Sequence, residues 1–472
     1  MMIKSQKGKV FSIISLAVLL ACMHGCKNRE ISGTKPNIIF ILADDMGYNV
    51  PGCYGGDSIY TPNIDALAKG GILFSEAYSG CSVCAPARAS LMTGLHTGHV
   101  SLRGNTGGIA LPSRDTTFTQ ILKSAGYTVG GFGKWGLGDV GTEGVAEKHG
   151  FDIFFGYYHQ IHAHFYYTDY LWRNSRKVEV LNAHGDSASY AHYRIMKEMK
   201  QFITDNRAGP FFCFGSWTLP HTDDDGNAQI PESDPAYILY NDKPWTDDEK
   251  KYAGMNTRVD HDLGEIIKLL KELNINRNTV VIFSSDNGGG EKYNPTFKVS
   301  GKLKGFKHQF YEGGIKVPLI FYWPGRIEPG SRCEMPCYFA DMMPTILDLA
   351  GIEDLLPVKT DGISMVPSLF GEHIQEKHEY MYWELPAFDW TNNVYPENGL
   401  QQAIRIDDWK MLRHDTHEAW ELFDLSVDQE ENHNLASEHP DIVVRLMDLI
   451  KMNRTKMPEQ IEPEMSEGKW YR

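Results

Sequence analysis

The chemistry in this chain centres on Cys84-Ala85-Pro86-Ala87-Arg88, followed by Leu91-Met92-Thr93-Gly94. The string reads C-x-P-x-R, a context in which cysteine is oxidised to Cα-formylglycine. The hydrated aldehyde is a geminal diol, a nucleophile that no standard side chain supplies. Arg88 lies one helical turn beyond Cys84, within reach of the aldehyde or its hydrate. Five loosely constrained positions do recur by chance. Alone, the string equally describes a small buried cysteine at a helix start.

Other polar groups favour the chemical reading. Asp44-Asp45 follows the apolar run 37–43 (NIIFILA), and Asp286-Asn287 follows the run 279–283 (TVVIF). Both runs are β-branched and continuous, as buried strands are. In an open α/β sheet, ligands collect beyond the carboxyl ends of strands, so the two pairs are expected at one edge. Three carboxylates and an amide form an all-oxygen set, which selects Ca²⁺ or Mg²⁺ over zinc or copper. Each pair alone also fits an ordinary turn. Lys134, in Gly133-Lys134-Trp135, and Lys307, ahead of Glu312-Gly313-Gly314, are further cations beside glycine-rich turns.

The elements that must position these residues alternate between apolar strands and amphipathic helices. Thr61-Pro62 opens a short helix that Gly70-Gly71 closes. Pro86 suits the first turn of a helix carrying Arg88 and Leu91. Helices are expected over 117–124, 187–206, 246–273 and 341–350, the third opened by a Thr246/Glu249 capping box. Strands are expected over 127–132, 211–217 and 317–322. This pattern predicts an α/β sandwich around a large, mostly parallel sheet. After about residue 372 the texture changes to short strands at 380–384, 402–406, 409–413 and 420–423, then a helix over 441–452. That predicts a small C-terminal antiparallel sheet subdomain with a covering helix.

Taken in order, these motifs resemble a type I, formylglycine-dependent sulfatase of the alkaline phosphatase superfamily. The resemblance extends over nearly all of residues 35–472. It includes Leu219-Pro220-His221, Ser285-Asp286-Asn287-Gly288, Leu422-Phe423-Asp424-Leu425 and Asn434-Leu435-Ala436. It implies an alkaline-phosphatase-like fold and a metal, Ca²⁺ or Mg²⁺, held by Asp44, Asp45, Asp286 and Asn287 with formylglycine at Cys84. Arg88, Lys134 and Lys307 match residues that hold the nucleophile and the sulfate oxygens, and His221 matches a histidine near the bridging oxygen. In the implied mechanism one hydroxyl of the hydrate attacks sulfur, and His221 protonates the departing alcohol oxygen. The second hydroxyl then loses its proton and the hemiacetal collapses, expelling sulfate. One departure stands out: the family often has Gly-Lys-Trp-His-Leu-Gly, and this chain has glycine at position 136. The space invites another histidine (His99, His162 or His164), or orientation by Arg88, Lys134 and the metal alone. The second is the expectation here, because charge-assisted contacts suffice to orient.

The segment 159–174 (HQIHAHFYYTDYLWRN) is rich in aromatic and histidine residues, and 95–105 (LHTGHVSLRGN) follows the nucleophile helix. Both look similar to segments of bacterial carbohydrate sulfatases acting on galactose or N-acetylgalactosamine sulfates. His99, Arg103, Asn105, His162, His164 and Trp172 are therefore expected at the substrate. The competing activities are a phosphodiesterase or phosphonate hydrolase of the same superfamily, or a non-catalytic glycan-binding lipoprotein.

The 472 residues are 42% hydrophobic and 23% charged, which describes a globular body with a large core. A net charge of −15 argues against broad nucleic-acid binding and requires a local cationic pocket for any anionic substrate. Lys4, Lys7 and Lys9 precede an apolar run over 10–21, too short to span a bilayer, ending in Leu19-Leu20-Ala21-Cys22. This resembles a lipobox, with Cys22 lipidated and residues 1–34 forming leader and tether. The body then divides into a catalytic domain over 35–371 and the subdomain over 372–472. Export to the bacterial periplasm or cell surface follows, with the membrane touched only through the lipid anchor. A sulfated glycan and a formylglycine-forming enzyme are the expected partners. Of the eight cysteines, Cys333 and Cys337 are near enough to pair, though free core thiols fit equally well.

Overall fold

The computed structural model describes residues 35–180, 187–357, 359–372, 375–389, 395–396 and 399–459. The lipobox Cys22 and the apolar run before it lie outside the described residues. Among the described residues sixteen strands, in chain order, build three sheets. They are β1 (Asn37–Ala43), β2 (Ile72–Phe74), β3 (Ala77–Tyr78), β4 (Thr128–Lys134), β5 (Ile153–Tyr157), β6 (Tyr170–Arg173), β7 (Arg176–Glu179) and β8 (Phe211–Ser216). Then come β9 (Thr279–Ser285), β10 (Leu319–Tyr322), β11 (Ser331–Cys333), β12 (Cys337–Tyr338), β13 (Met381–Pro386), β14 (Leu400–Ile406), β15 (Trp409–Arg413) and β16 (Glu421–Asp424).

The main sheet has ten strands in the order β11-β2-β10-β9-β1-β8-β4-β5-β6-β7. Its centre, β9-β1-β8-β4-β5, is parallel throughout. Strand β10 runs antiparallel between β9 and β2, and β6 antiparallel between β5 and β7. The period-two alternation of β1 splits the core into two layers. Ile38, Phe40 and Leu42 face a layer that includes the Cys84–Thr93 and Met342–Leu349 helices. Ile39 and Ile41 face a layer that includes the Ala191–Asp205 and Asp247–Glu272 helices. Parallel central strands send every carboxyl end to the same edge, and that edge carries Asp44, Lys134, the Ser216–His221 turn and Asp286.

The capping box at Thr246 and Glu249 forms as expected and starts a helix of 26 residues. The Pro62–Gly70 helix is capped differently. Thr61 makes no side-chain cap, and its hydroxyl instead accepts from the Gly52 amide. Asp260 of the long helix accepts from both the Asn63 and Ile64 amides at 2.7 Å. The expected helix over 187–206 begins only at Ala191, after a 3-10 turn at Ser187–Ser189.

The C-terminal sheet, β13-β14-β15-β16, is antiparallel throughout. Leu446 and Ile450 of the Pro440–Met452 helix pack on Ile404, Met411 and Leu422 of this sheet. It lies in the same compact unit as the main sheet. A buried charge cluster joins the two. Lys410 of β15 bonds Glu312 at 2.8 Å and pairs with Glu431 at 2.9 Å, and Glu431 accepts from the Glu312 amide at 2.6 Å. Glu312 closes the loop that carries Lys307, so β15 anchors that loop. Removing one partner of such a cluster strands a buried charge, at a cost of about 3–5 kcal/mol. Cys333 and Cys337 do not pair; all the described cysteines are free thiols.

Candidate active site

Asp44 and Asp45 emerge where β1 ends, and Asp286 and Asn287 where β9 ends. Because β1 and β9 pair in parallel with Ala43 opposite Ser285, the four side chains arrive side by side. The Asp45 amide donates to Asp286 Oδ1 at 3.1 Å, and Asn287 Nδ2 donates to Asp45 Oδ1 at 2.7 Å. Cys84 is the first residue of its helix, and its thiol lies 3.3 Å from Asp44 Oδ1. Ligand atoms of Asp44, Asp45, Cys84 and His221 all fall within 4.8 Å of one another, a group able to hold a metal ion.

Three cations face the three carboxylates. Arg88 donates through Nε and Nη2 to Asp286 Oδ2 at 3.1 and 2.9 Å, and through Nη1 to the Lys134 carbonyl at 2.8 Å. Lys134 Nζ bonds Asp44 Oδ2 at 2.7 Å, and Lys307 Nζ bonds Asp45 Oδ2 at 2.7 Å. Burial raises the Asp44 carboxyl, yet Lys134 foremost, with Arg88 and Lys307, holds it well below the usual carboxylate range. Asp286 is less compensated: burial, with Asp44 adding, pushes it up to about 6 against the pull of Arg88. Burial also pushes the unmodified Cys84 thiol well above its ordinary range, so it is not a ready thiolate. His221 turns Nδ1 to the Thr222 carbonyl at 2.6 Å, which aims Nε2 at Lys307 Nζ, 2.9 Å away. Burial, then Lys307, lowers this imidazole to about 3, so the ring is neutral with Nε2 as its acceptor.

The donor set fits a hard divalent cation. Asn287 Oδ1 is buried without a hydrogen-bond partner, amid carboxylates whose negative charge the Asp286 shift reports. All the oxygen donors are of the type that Ca²⁺ and Mg²⁺ take. The cluster opens into a cleft of about 700 Å³.

Of the expected substrate residues, Asn105 and His164 line this cleft. His164 stacks on His221 at 4.2 Å and bonds Asp224 at 2.6 Å. The other four do not line it. His99 bonds Asp361 at 2.9 Å and stacks on His96, their rings 4.2 Å apart. Arg103 is fully buried against Glu384 at 2.6 Å and Thr455. His162 bonds Thr168 at 2.8 Å and packs on Tyr157 and Tyr170. Trp172 sits on β6 against Tyr158, with Lys177 over its ring. The segment 159–174 lines the cleft through Gln160, Ile161 and His164 but with none of its Phe, Tyr or Trp rings; the aromatic lining is Tyr252 and Tyr293, stacked at 3.9 Å, with Phe306. Gln160, His308 and Asp224 also line it and were not singled out in the sequence. Of these, Gln160 fell inside the segment 159–174 and His308 beside Lys307, while Asp224 fell in no segment marked for function.

Residues 36–352 match the family model described as Sulfatase, and residues 304–456 the one described as N-sulphoglucosamine sulphohydrolase, C-terminal. The chain belongs to the sulfatase family and is a sulfuric ester hydrolase. It is 30% identical over 379 residues to N-acetylgalactosamine-6-sulfatase of Canis lupus familiaris, covering 74% of this chain and 68% of that protein. It is 28% identical over 466 residues to arylsulfatase A of Bos taurus, covering 89% and 87%. Its fold matches the crystal structure of Ps i-CgsB in complex with k-i-k-neocarrahexaose, with a TM-score of 0.75 and 28% identity. That match covers 91% of this chain and 96% of the other. The alkaline-phosphatase-superfamily fold expected from the motifs is the fold observed.

The packing of His162 has a consequence for pH. Burial lowers its ring from the ordinary 6.5 to about 3. The unfolded chain therefore binds a proton that the folded chain refuses, and stability present above pH 6.5 is lost as pH falls toward 3. Each such group adds a slope of about 1.4 kcal/mol per pH unit in that window. In urea denaturation between pH 6.5 and 4, His162→Gln should flatten the loss by about that amount; an unchanged slope would contradict this reading.

Proposed function

We propose that this sulfatase removes O-sulfate from a carbohydrate, a galactose or N-acetylgalactosamine sulfated at O4 or O6, at the end of a glycan chain. The observation that carries the reading is the Asp44-Asp45-Cys84-His221 cluster, backed by Arg88, Lys134 and Lys307, at the floor of an open cleft. The sugar assignment is supported by the N-acetylgalactosamine-6-sulfatase relative and by the carbohydrate bound in the 28%-identical structure.

Asp44, Asp45, Asp286 and Asn287, with residue 84, would hold Ca²⁺ (or Mg²⁺), which would supply positive charge against the sulfate oxygens. A maturation enzyme would convert Cys84 to formylglycine, whose hydrate would supply the nucleophile and a route for sulfate release that serine or thiol lacks. The remaining work falls to side chains present in the fold. Lys134 and Lys307 each hold a carboxylate and stand ready to contact sulfate oxygens. Arg88 fixes Asp286 and the end of β4, so the cationic floor is rigid before substrate arrives. His221, pinned at Nδ1, places Nε2 to carry a proton to the leaving oxygen, and Lys307 Nζ adjoins the same atom. A bound sulfate ester adds the negative charge that favours the imidazolium. We also propose export and anchoring through a lipid on Cys22, checked by fatty-acid labelling that Cys22→Ala abolishes.

Sulfate release from a panel of sulfated sugars, run beside aryl sulfates and phosphate esters, tests the substrate. A galactose or N-acetylgalactosamine sulfate should exceed aryl sulfates in kcat/KM, because remote hydroxyl contacts position the sulfur. His221→Ala should cost sugar esters about 10²–10⁴-fold and aryl esters far less, since activated leaving groups need little protonation. Equal efficiency on aryl sulfates would remove the carbohydrate reading, and faster phosphate-ester cleavage would replace it.

A further inference from the structure

The helix that begins at Cys84 has no cap of its own. Val83 occupies the N-cap position and makes no side-chain hydrogen bond there. The cap comes from elsewhere: Asn105 Oδ1 accepts from the Ala85 amide at 3.0 Å. That amide is one of the orphan donors of the first turn, so Asn105 holds the peptide directly after the nucleophile position.

Asn105 is itself held. Gln160 Nε2 donates to the same Oδ1 at 3.3 Å. Gln160 is only 5% exposed and shares the cleft lining with Cys84 and Asn105. Its backbone follows a segment tied down by two hydrogen bonds, Trp135 amide to Tyr157 carbonyl at 2.8 Å and Gly136 amide to Tyr158 carbonyl at 3.0 Å. Gly136 makes room for the side chain. A Cβ there would lie 3.2 Å from Gln160 Cγ and 3.8 Å from Arg88 Cδ, and the residue has a φ of +75°, which disfavours any side chain. Gly136, Gln160, Asn105 and the Ala85 amide thus form one strut between the end of β4 and the first turn of the nucleophile helix.

We propose that Gln160 is a positioning residue for the nucleophile, acting through Asn105 on the peptide at residues 84–85, and that Gly136 is the glycine this strut requires. The proposal rests on residue 84 being the nucleophile of the reaction proposed above. It assigns the space beside Gly136 to an amide, not to another histidine or to charge alone. An amide suits the place: it donates to Asn105 at every working pH and adds no charge beside an anionic ester.

The test uses the full, matured chain with 4-nitrophenyl sulfate, each rate normalised to the aldehyde content of the residue-84 peptide by mass spectrometry. Gln160→Met keeps the volume and removes the donor. It should lower kcat about tenfold to hundredfold, the cost of a small misplacement of a reacting group. KM should stay within about threefold, because the loss falls on orientation and not on ground-state binding. Hydrogen exchange at the Ala85 amide should quicken in the same variant. Gly136→Ala, which crowds Gln160 and adds backbone strain of its own, should lower kcat at least as far. An unchanged kcat at normal aldehyde content overturns the proposal, whatever the exchange shows. A lowered kcat with unchanged Ala85 exchange overturns the route through Asn105. If the matured wild type cleaves no sulfate ester, the proposed function fails, and the exchange comparison still decides whether the strut exists.

Discussion

Three carboxylates with almost no access to solvent, at the carboxyl edge of one sheet, are the constraint on which the rest of this structure depends. Asp44 and Asp286 are fully buried, and Asp45 is 13% exposed at the cleft. Like charges so placed repel strongly, and their desolvation alone costs several kcal/mol per ion. The fold answers with three cations, each from a different element. Arg88 comes from the helix that begins at Cys84, Lys134 from the end of β4, and Lys307 from the loop before Glu312. Parallel β9, β1, β8 and β4 are what allow residues so distant in sequence to meet within hydrogen-bond distance.

Lys307 explains why the C-terminal sheet matters to the site. Its loop closes on Glu312, and Glu312 is clamped by Lys410 and Glu431. Tyr311 of the same loop donates to Glu421 of β16 at 2.8 Å. On the other side, Arg103 and Arg454 converge on Glu384 of β13, tying the segment after the Cys84–Thr93 helix to the same sheet. The small sheet is thus a brace with two arms, one reaching the loop of Lys307 and one the polypeptide that returns to Asn105.

The charged floor of the cleft was legible in the sequence because its residues sit where chain geometry is simple. Asp44-Asp45 and Asp286-Asn287 each follow an unbroken apolar run, and a parallel sheet leaves such residues one place to go. The cleft wall was not legible. Trp172, Tyr170 and His162 read equally well as stacking surface or as packing, and the β6–β7 hairpin, absent from the expected strands, uses them for packing. His99 and Arg103 lie near Cys84 in sequence, but ten helical residues advance the chain by about 15 Å, which carries them away from the cleft. Asn105 returns to the first turn only because the chain folds back. The three-residue strands β2 and β11 are too short for periodicity to reveal.

The central claim is that this balanced charge cluster is a seat for one hard divalent cation. Titration calorimetry of Ca²⁺ into the metal-stripped chain, repeated with Mg²⁺ and Zn²⁺, tests it most directly. The account predicts one equivalent of Ca²⁺ or Mg²⁺ bound, a raised thermal midpoint, and loss of both in Asp45→Asn and Asn287→Ala. Binding of Zn²⁺ alone, or no binding and no shift with either hard ion, would contradict it.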